Sequence, residues 1–176
     1  SEELAYKLTD HPVRLYIAGG SHTLRTGDRR PMRIPLLPHE TEEGYKWLYE
    51  EMAKHDGRWP GFESFGATRI AAYLAYRMAG INVPIEDVDL IETHDAFTIS
   101  DLQTYGDVGL TLYGEEQEYV RSGECYHVNP HTGKPGKCPS NTSGGLLGTM
   151  HAVGATGIFQ CNEVLWQLQG KYDKFH

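Results

Sequence analysis

Two histidines stand where an α/β protein usually presents its reactive groups. His94 lies in the stretch IETHDAF (91–97), between a short apolar run and a segment with helical spacing. His151 lies in a glycine-rich stretch, 143–157, that precedes the last helical pattern. Side chains at such strand-to-helix junctions point into the crevice where open α/β sheets bind ligands. A neutral imidazole there can take a proton from a thiol or donate a hydrogen bond to a thioester oxygen.

The glycines and the helix starts would support that chemistry. Glycines around His151 allow the backbone to turn sharply and to approach a substrate closely. Helix N-termini present free amide hydrogens, which favour a developing oxyanion. From spacing alone, a partly buried, hydrogen-bonded histidine at a helix start explains each residue equally well. Both interpretations stay open at this point.

The segments that must position these histidines alternate between helical and extended patterns. Short apolar runs at 13–18 and 88–92 predict strands, and 84–87 predicts a turn. Helical spacing is found at 2–8, 42–54, 67–78, 96–105, 114–122 and 158–168. The alternation predicts an α/β fold with a mixed or parallel β-sheet covered by helices.

Two of the predicted helices show an apolar face that we expect to be buried. On 42–54 this face carries Tyr45, Leu48, Tyr49 and Met52. On 67–78 it carries Ile70, Leu74, Ala75 and Met78.

A long irregular stretch, 20–59, is predicted to be a surface loop that contains the helix at 42–54. Within it Arg29, Arg30 and Arg33 form the only dense basic cluster of the sequence. A solvated loop explains this cluster, and a local pocket for an anionic small molecule is the alternative.

Composition excludes some classes of partner. The 176 residues carry a formal net charge of −8, which repels phosphate backbones and argues against nucleic acid. No apolar run approaches the length of a membrane span, and the first residues lack a signal peptide pattern, so a cytoplasmic protein is expected. The three cysteines are an odd number and are expected to be reduced thiols.

The order of these motifs resembles the C-terminal half of thiolases, in the form found in archaeal acetyl-CoA acetyltransferases and sterol-carrier-protein thiolases. HDAF at 94–97 is similar to a signature that carries His where many members carry Asn. Residues 141–157 are similar to an Asn-x-x-Gly-Gly segment followed by Gly-His-Pro-x-Gly-x-x-Gly, and 157–170 continue the likeness. The resemblance extends from about Gly66 onward. It implies that 1–176 form a thiolase-like C-terminal domain, with a mixed sheet covered by helices, that lacks its last strand.

The resemblance also implies roles for individual residues. In the family, the histidine at the position of His151 activates a nucleophilic cysteine and helps to form an oxyanion hole. The residue at the position of His94 helps to position the thioester oxygen, and Phe97 would line the acyl pocket. The other implied substrate-binding residues are Met150, Gly144, Gly145 and Gly154. The implied reaction is thiolytic cleavage or Claisen condensation of a 3-ketoacyl-CoA, with the CoA thioester as substrate and no other cofactor.

The sequence departs from the family pattern in three ways. The nucleophilic cysteine belongs to the N-terminal half of the family, and a second, Cys-x-Gly cysteine belongs to a later strand. Cys161 replaces neither, because a thiol within the last helix is more often a small core residue. Met150 and Ala152 occupy the usual Gly and Pro positions, which adds bulk and relaxes the turn. The segment is therefore expected to be inactive alone and to need an N-terminal thiolase half or subunit.

These departures leave two alternatives to a thiolase. A retro-aldolase acting on a β-hydroxyacyl-CoA would use the same fold without an acyl-cysteine intermediate. A non-catalytic thiolase-like subunit would bind or scaffold a catalytic partner. The resemblance further implies a homodimer and a small zinc-ribbon/OB-fold partner protein.

One segment carries weak metal-ligating potential. Cys125, His127, His131 and Cys138 supply four donors that zinc accepts. Their spacing matches no common zinc pattern, so a surface loop with incidental His and Cys is the favoured interpretation.

Overall fold

The computed structural model describes residues 2–8, 35–54, 66–149 and 151–171. Several predictions fall outside the described residues. These are the strand at 13–18, the arginine cluster at 29–33, parts 20–34 and 55–59 of the predicted loop, and the side chains of Met52 and Met150.

Helices dominate the described residues, and the predicted helices are confirmed with small shifts of their ends. They are α1 (Glu2–Leu8), α2 (Lys46–Lys54), α3 (Gly66–Ala79), α4 (Pro84–Asp87), α5 (Thr98–Asp107), α6 (Glu116–Ser122), α7 (Gly145–Gly148) and α8 (Thr156–Leu168). A short 3-10 turn, Val153–Ala155, leads into α8. The predicted turn at 84–87 is the single-turn helix α4, which Pro84 starts with its fixed φ angle. No helix among these is long and apolar enough to cross a bilayer.

The predicted mixed sheet is not found within the described part of the chain. There, the strand pairing consists of one parallel bridge between Ile91 and Ser140. Ile91 N donates to Pro139 O at 3.0 Å, and Asn141 N donates to Ile91 O at 2.9 Å. A strand needs a hydrogen-bonded partner along its length. In the described structure the predicted strand at 88–92 has such a partner at Ile91, in the bridge to Ser140. The bridge nevertheless joins the two segments that carry the histidines.

Within the described residues three apolar clusters form the core, and α5 contributes to the largest of these. The first contains Tyr45, Leu48 and Tyr113, with Tyr49 partly buried against them, which confirms the predicted burial of Tyr45 and Leu48. The second contains Tyr105, Leu110, Tyr119, Cys125 and Cys138. The third contains Leu37, Ala72 and Tyr76.

The inward face predicted for α3 is wrong in part. Leu74 and Met78 are exposed, whereas Arg69, Ala72 and Tyr76 are buried. The reason is polar: Arg69 pairs with a buried carboxylate, and Tyr76 OH donates to Val108 O at 2.7 Å. These bonds turn a hydrogen-bonding face of the helix inward, because buried polar groups need partners.

A buried ion pair ties the segment before α2 to α3 and α5. Arg69 and Glu40 have fully buried side chains and form a salt bridge. Arg69 Nε also donates to Pro35 O at 2.9 Å, and its Nη1 reaches Asp107 O at 3.3 Å. Glu40 in turn accepts a hydrogen bond from Tyr45 OH at 2.8 Å. This cluster fixes the C-terminal end of α5, the helix that begins just after His94 and so helps to position the site.

Candidate functional site

His94 stands on a short connection between the bridge residue Ile91 and α5. Its neighbour Thr93 is bonded to the second motif through both its backbone amide and its side-chain hydroxyl. Thr93 N donates to Asn141 Oδ1 at 2.7 Å, and Asn141 Nδ2 donates back to Thr93 Oγ1 at 2.8 Å. Asn141 holds a left-handed φ of 52°, a conformation that Asn tolerates better than most residues. The two motifs are therefore fastened together directly beside His94.

Asp101, in the first turn of α5, completes this fastening. Its carboxylate accepts hydrogen bonds from Thr93 Oγ1, from Asn141 Nδ2 at 3.2 Å and from Tyr105 OH at 2.6 Å. A shared carboxylate acceptor gives charge-assisted bonds, which are stronger than neutral ones. Sequence reasoning missed Asp101, because its partners lie 8 and 40 residues away along the chain.

His151 lies against the start of α8. Its Nδ1 atom is 2.9 Å from Thr156 Oγ1, and Thr156 is 4% exposed. The His151 ring meets the His94 ring edge-on, with centroids 4.8 Å apart and planes at 83°. The structure therefore brings together the two histidines that the sequence predicts to share a site. With Nδ1 engaged by Thr156, Nε2 is the nitrogen that His151 can offer to a reacting group.

The Gly-Gly turn of the second motif packs around Asp95 of the first motif. Gly144 and Gly145 have φ angles of 94° and 59°, a region that favours glycine. Asp95 Oδ1 accepts a hydrogen bond from Leu146 N at 2.7 Å. A Cβ atom on Gly145 would lie 2.6 Å from Asp95 Cγ, so a larger residue cannot fit without movement. Both glycines thus have a conformational reason to be glycine.

A cavity of about 210 Å³ is lined by residues of both motifs and of α8, and one of them is Thr156, the hydrogen-bond partner of His151. Its lining residues are Glu92, Ser143, Gly145, Leu146, Thr149, Thr156, Phe159, Gln160 and Glu163. Glu92 accepts a hydrogen bond from Ser143 Oγ at 2.8 Å, and Gln160 Nε2 donates to Thr93 O at 2.5 Å. These polar residues were not predicted, although Glu92 and Ser143 lie inside the two motifs.

Exposed apolar side chains flank the two histidines along the chain and continue into the start of α8, and we call this set the apolar rim. Its members are Phe97, Ile99, Leu147, Val153, Ile158 and Phe159. Phe97 is 71% exposed, which is unusual for a side chain of its size. Val153 holds a φ of 46°, a strained value for a β-branched residue, two positions after His151. Gly154, a predicted substrate-binding residue, has open space where its Cβ would be.

The weak zinc candidates are not gathered into a metal site. Cys125 and Cys138 are buried in the core beside Tyr105 and Tyr119, whereas His127 and His131 are exposed. Across the described ranges, no group of three or more His, Cys, Asp or Glu side chains is placed to hold a metal ion. Burial raises the pKa of the Cys125 thiol above its usual range. Burial, with a smaller contribution from Asp89, raises that of Cys138 to about 12. An apolar environment of this kind keeps both thiols protonated, whereas zinc binds the thiolate form.

Cys161 differs from the prediction that it is a core residue. It is exposed on α8, the helix whose buried residue is Thr156. Much of this helix is uncovered, because its apolar side chains Phe159, Trp166 and Leu168 are also exposed.

Comparisons with known proteins agree with this arrangement of motifs. Residues 42–176 match the family described as Thiolase C-terminal domain-like. The chain is 36% identical over 110 residues to human Sterol carrier protein 2, covering 62% of this chain and 18% of that protein. It is 37% identical over 123 residues to Acetyl-CoA acetyltransferase of Methanothermobacter thermautotrophicus, covering 70% and 29%.

A third relative is a bacterial protein. Over 104 residues the chain is 35% identical to Benzoylsuccinyl-CoA thiolase subunit BbsB of Thauera aromatica, covering 59% of this chain and 25% of that subunit. The chain therefore spans less than a third of the length of each of these three relatives.

Proposed function

The chain belongs to the thiolase C-terminal domain-like family, and on that premise we propose that it supplies two imidazoles to a thiolase-type acyl-CoA C-acyltransferase. The proposed reaction is thiolytic cleavage of a 3-ketoacyl-CoA or its reverse, Claisen condensation. The observation that carries the proposal is the edge-on contact of His94 and His151, with ring centroids 4.8 Å apart on the two motif segments. The names of two relatives, an acetyl-CoA acetyltransferase and a benzoylsuccinyl-CoA thiolase subunit, favour a CoA thioester as substrate.

His151 is the proposed base of this reaction. Nε2 would accept the proton of a nucleophilic thiol, while Thr156 Oγ1 at 2.9 Å from Nδ1 keeps the ring in place. A neighbouring hydrogen bond of this kind orients an imidazole and selects which nitrogen reacts. The thiolate would then attack the ketone or thioester carbonyl of the substrate.

His94 is the proposed donor to the oxygen that becomes negative during this attack. A hydrogen-bond donor aimed at a developing oxyanion lowers the barrier more than it strengthens substrate binding. Two hydrogen bonds from the Asn141 side chain to Thr93 N and Oγ1 hold the connection that carries His94 before the substrate arrives. This pre-organisation is what oxyanion stabilisation requires.

The nucleophile of the proposed reaction would come from an N-terminal thiolase half or from another subunit. Cys125 and Cys138 are buried in the core, where a raised pKa keeps each thiol protonated. Cys161 is exposed on α8 rather than placed with the imidazole pair in the described contacts. A homodimer, a zinc-ribbon/OB-fold partner protein and a cytoplasmic location belong to the same proposal.

Phe97 is the proposed wall of the acyl pocket. It follows His94 by three residues and is mostly exposed, together with the rest of the apolar rim. Gly144, Gly145, Gly154 and Met150 complete the proposed substrate-binding set. Gly145 would act by its conformation, because its Cα packs against Asp95 and leaves no space for a side chain.

The test is the substitution His151→Ala in the assembled enzyme, together with the part that provides the nucleophile. Loss of a general base costs about 10²–10⁴-fold in rate, so thiolysis of a 3-ketoacyl-CoA should fall by that factor. The matched control is His127→Ala, which removes an exposed imidazole outside the two motifs and should leave the rate unchanged. Circular dichroism checks that both variants fold. A wild-type rate in His151→Ala would contradict the proposal.

A second measurement separates the thiolase from the retro-aldolase. Incubation of the assembled enzyme with an acyl-CoA, followed by acid quench and mass spectrometry, should show the mass of a covalent acyl-cysteine. Turnover of a β-hydroxyacyl-CoA without any acyl-enzyme would favour the aldolase. Binding of CoA thioesters without turnover would favour the non-catalytic subunit.

A further inference from the structure

We infer that Asp95 is a positioning residue, which holds the His94 segment against the Gly-Gly turn and thereby sets the separation of the two imidazoles. The inference concerns geometry that is present in this chain alone. It rests on the proposed function only for its effect on turnover.

The first support is the hydrogen bond between Asp95 and the start of α7. The N-cap of α7 is Gly144, which has no side chain to accept the free amides of the first turn. Asp95 Oδ1, 51 residues earlier in the chain, accepts the amide hydrogen of Leu146 at 2.7 Å. Both residues are buried, with Asp95 8% exposed. Asp95 therefore acts as an N-cap supplied by another segment.

The second support is the fit between Asp95 and Gly145. The Gly145 backbone approaches the carboxylate so closely that an added Cβ would overlap its oxygens and lie 2.6 Å from Cγ. The φ of 59° at Gly145 also disfavours a side chain. A carboxylate and a glycine that fit this tightly allow one relative placement of the two segments, because a close-packed interior leaves no space for either segment to shift.

The third support is the position of this contact along the chain. Asp95 follows His94 directly, and α7 ends at Gly148, three residues before His151. Gln160, on the other side of His151, donates to Thr93 O at 2.5 Å. His151 is thus held to the His94 segment from both sides. On the N-terminal side, the Asp95 contact lies closer to His151 along the chain than the Thr93–Asn141 and Glu92–Ser143 bonds do. Removal of Asp95 would free the connection from α7 to His151 and let the two rings separate.

The test uses the full 176-residue chain with isotope-labelled histidine and tyrosine. The ring protons of His94 and His151 should give a nuclear Overhauser effect, because the centroids are 4.8 Å apart. Tyr105 and Tyr119, with centroids 5.1 Å apart in the core, provide an internal reference for the fold. In Asp95→Ala the histidine contact should weaken at least about threefold while the tyrosine contact stays, because uncapping acts locally.

Two further variants distinguish positioning from general stability. Asp95→Asn keeps an oxygen acceptor of the same shape for Leu146 N, so it should retain most of the histidine contact. Gly145→Ala pushes the carboxylate away without altering it, and should weaken the contact as Asp95→Ala does. The control is Asp89→Asn, which changes an exposed carboxylate in the same region. An Asp95→Ala chain with an unchanged histidine contact, or one that loses both contacts together, would overturn the inference. If Asp95→Ala does not fold, the comparison of Asp95→Asn with Gly145→Ala decides, and equal contacts in those two overturn it.

Kinetics of the assembled enzyme provide the second readout. A catalytic group misplaced by about 1 Å can lose up to about 10²-fold in rate, so Asp95→Ala should lower kcat at least about tenfold. KM should change much less, because the Asp95 side chain is buried and is not in the proposed substrate-binding set. Asp95→Asn should recover most of kcat. A wild-type enzyme without turnover would contradict the proposed function. The inference about Asp95 would then be tested by the nuclear Overhauser effect between His94 and His151 alone. An active wild type with an equally active Asp95→Ala would defeat the inference alone.

Discussion

Replacing Arg69 by methionine should remove a large part of the stability of this domain. Methionine approximates the apolar stem of the arginine side chain and removes the guanidinium. The variant loses the salt bridge to Glu40 and the bonds to Pro35 O, at 2.9 Å, and Asp107 O, at 3.3 Å. It leaves the Glu40 carboxylate buried without its counter-charge, because both side chains are fully buried.

The expected magnitude follows from that uncompensated charge. Removal of one partner of a buried ion pair costs about 3–5 kcal/mol. Glu40 keeps hydrogen bonds from Leu37 N at 2.7 Å and from Tyr45 OH at 2.8 Å, which places the cost near the lower end, at about 3 kcal/mol. The free energy of unfolding of a domain of this size is about 5–15 kcal/mol in total, so the variant should unfold at a much lower urea concentration.

A double variant isolates the charge from the packing. Glu40→Gln together with Arg69→Met removes both charges, and should cost at least about 1 kcal/mol less than the sum of the single variants. The assay is urea unfolding followed by circular dichroism. Arg77→Met, on the exposed face of the same helix, is the matched control and should change stability by less than about 0.5 kcal/mol. An Arg69→Met chain that loses less than about 1 kcal/mol, or a double variant equal to the sum, would refute the reasoning.

Two predictions concern the thiols. Iodoacetate should modify one cysteine in the folded chain, the exposed Cys161, and all three after denaturation, as counted by mass spectrometry. Labelling of Cys138 in the folded chain at neutral pH would contradict its burial. Alkaline pH should also destabilise the domain, because burial raises the pKa of folded Cys138 to about 12, whereas the unfolded thiol ionises near 9.0. The contribution of protonated Cys138 to the free energy of unfolding is complete below about pH 9. It is lost as the pH rises toward 12, at up to about 1.4 kcal/mol per pH unit. Unfolding by urea at pH 8 and pH 10 checks this, and Cys138→Ala, whose side chain does not titrate, should show a smaller decrease; equal decreases would contradict the assignment.

The sequence alone predicts the features whose signal is local. The helical spacing of α2, α5, α6 and α8 is visible in any window of ten or so residues, and the structure has these helices. The pairing of His94 with His151 is predicted for a different reason, namely the likeness of two separate motifs to one family. The structure places the rings in contact, which motif spacing alone could not require.

The features that the sequence does not predict depend on distant partners. Periodicity favours Leu74 and Met78 as core residues of α3, yet the burial of Arg69 is decided by Glu40, 29 residues earlier. In the same way the role of Asp95 depends on an amide 51 residues later. A polar residue looks like a surface residue until its partner is known, so hydrophobic patterns miss both cases.

The apolar rim sets a condition on the proposed chemistry. An oxyanion is stabilised strongly by His94 only where water is excluded, because the same charges interact far more weakly at the dielectric constant of water. In the described structure both imidazoles are exposed, and so are Phe97, Ile99 and Val153, which lie within five residues of them along the chain, so the site is open to water. Large apolar side chains that are exposed as one patch mark a surface that another element covers. The proposed function therefore needs the apolar rim to be covered by the N-terminal half or subunit that carries the nucleophilic cysteine. Docking of that part would bring the cysteine to His151 Nε2 and, because it covers the rim, would exclude water from the site in the same step.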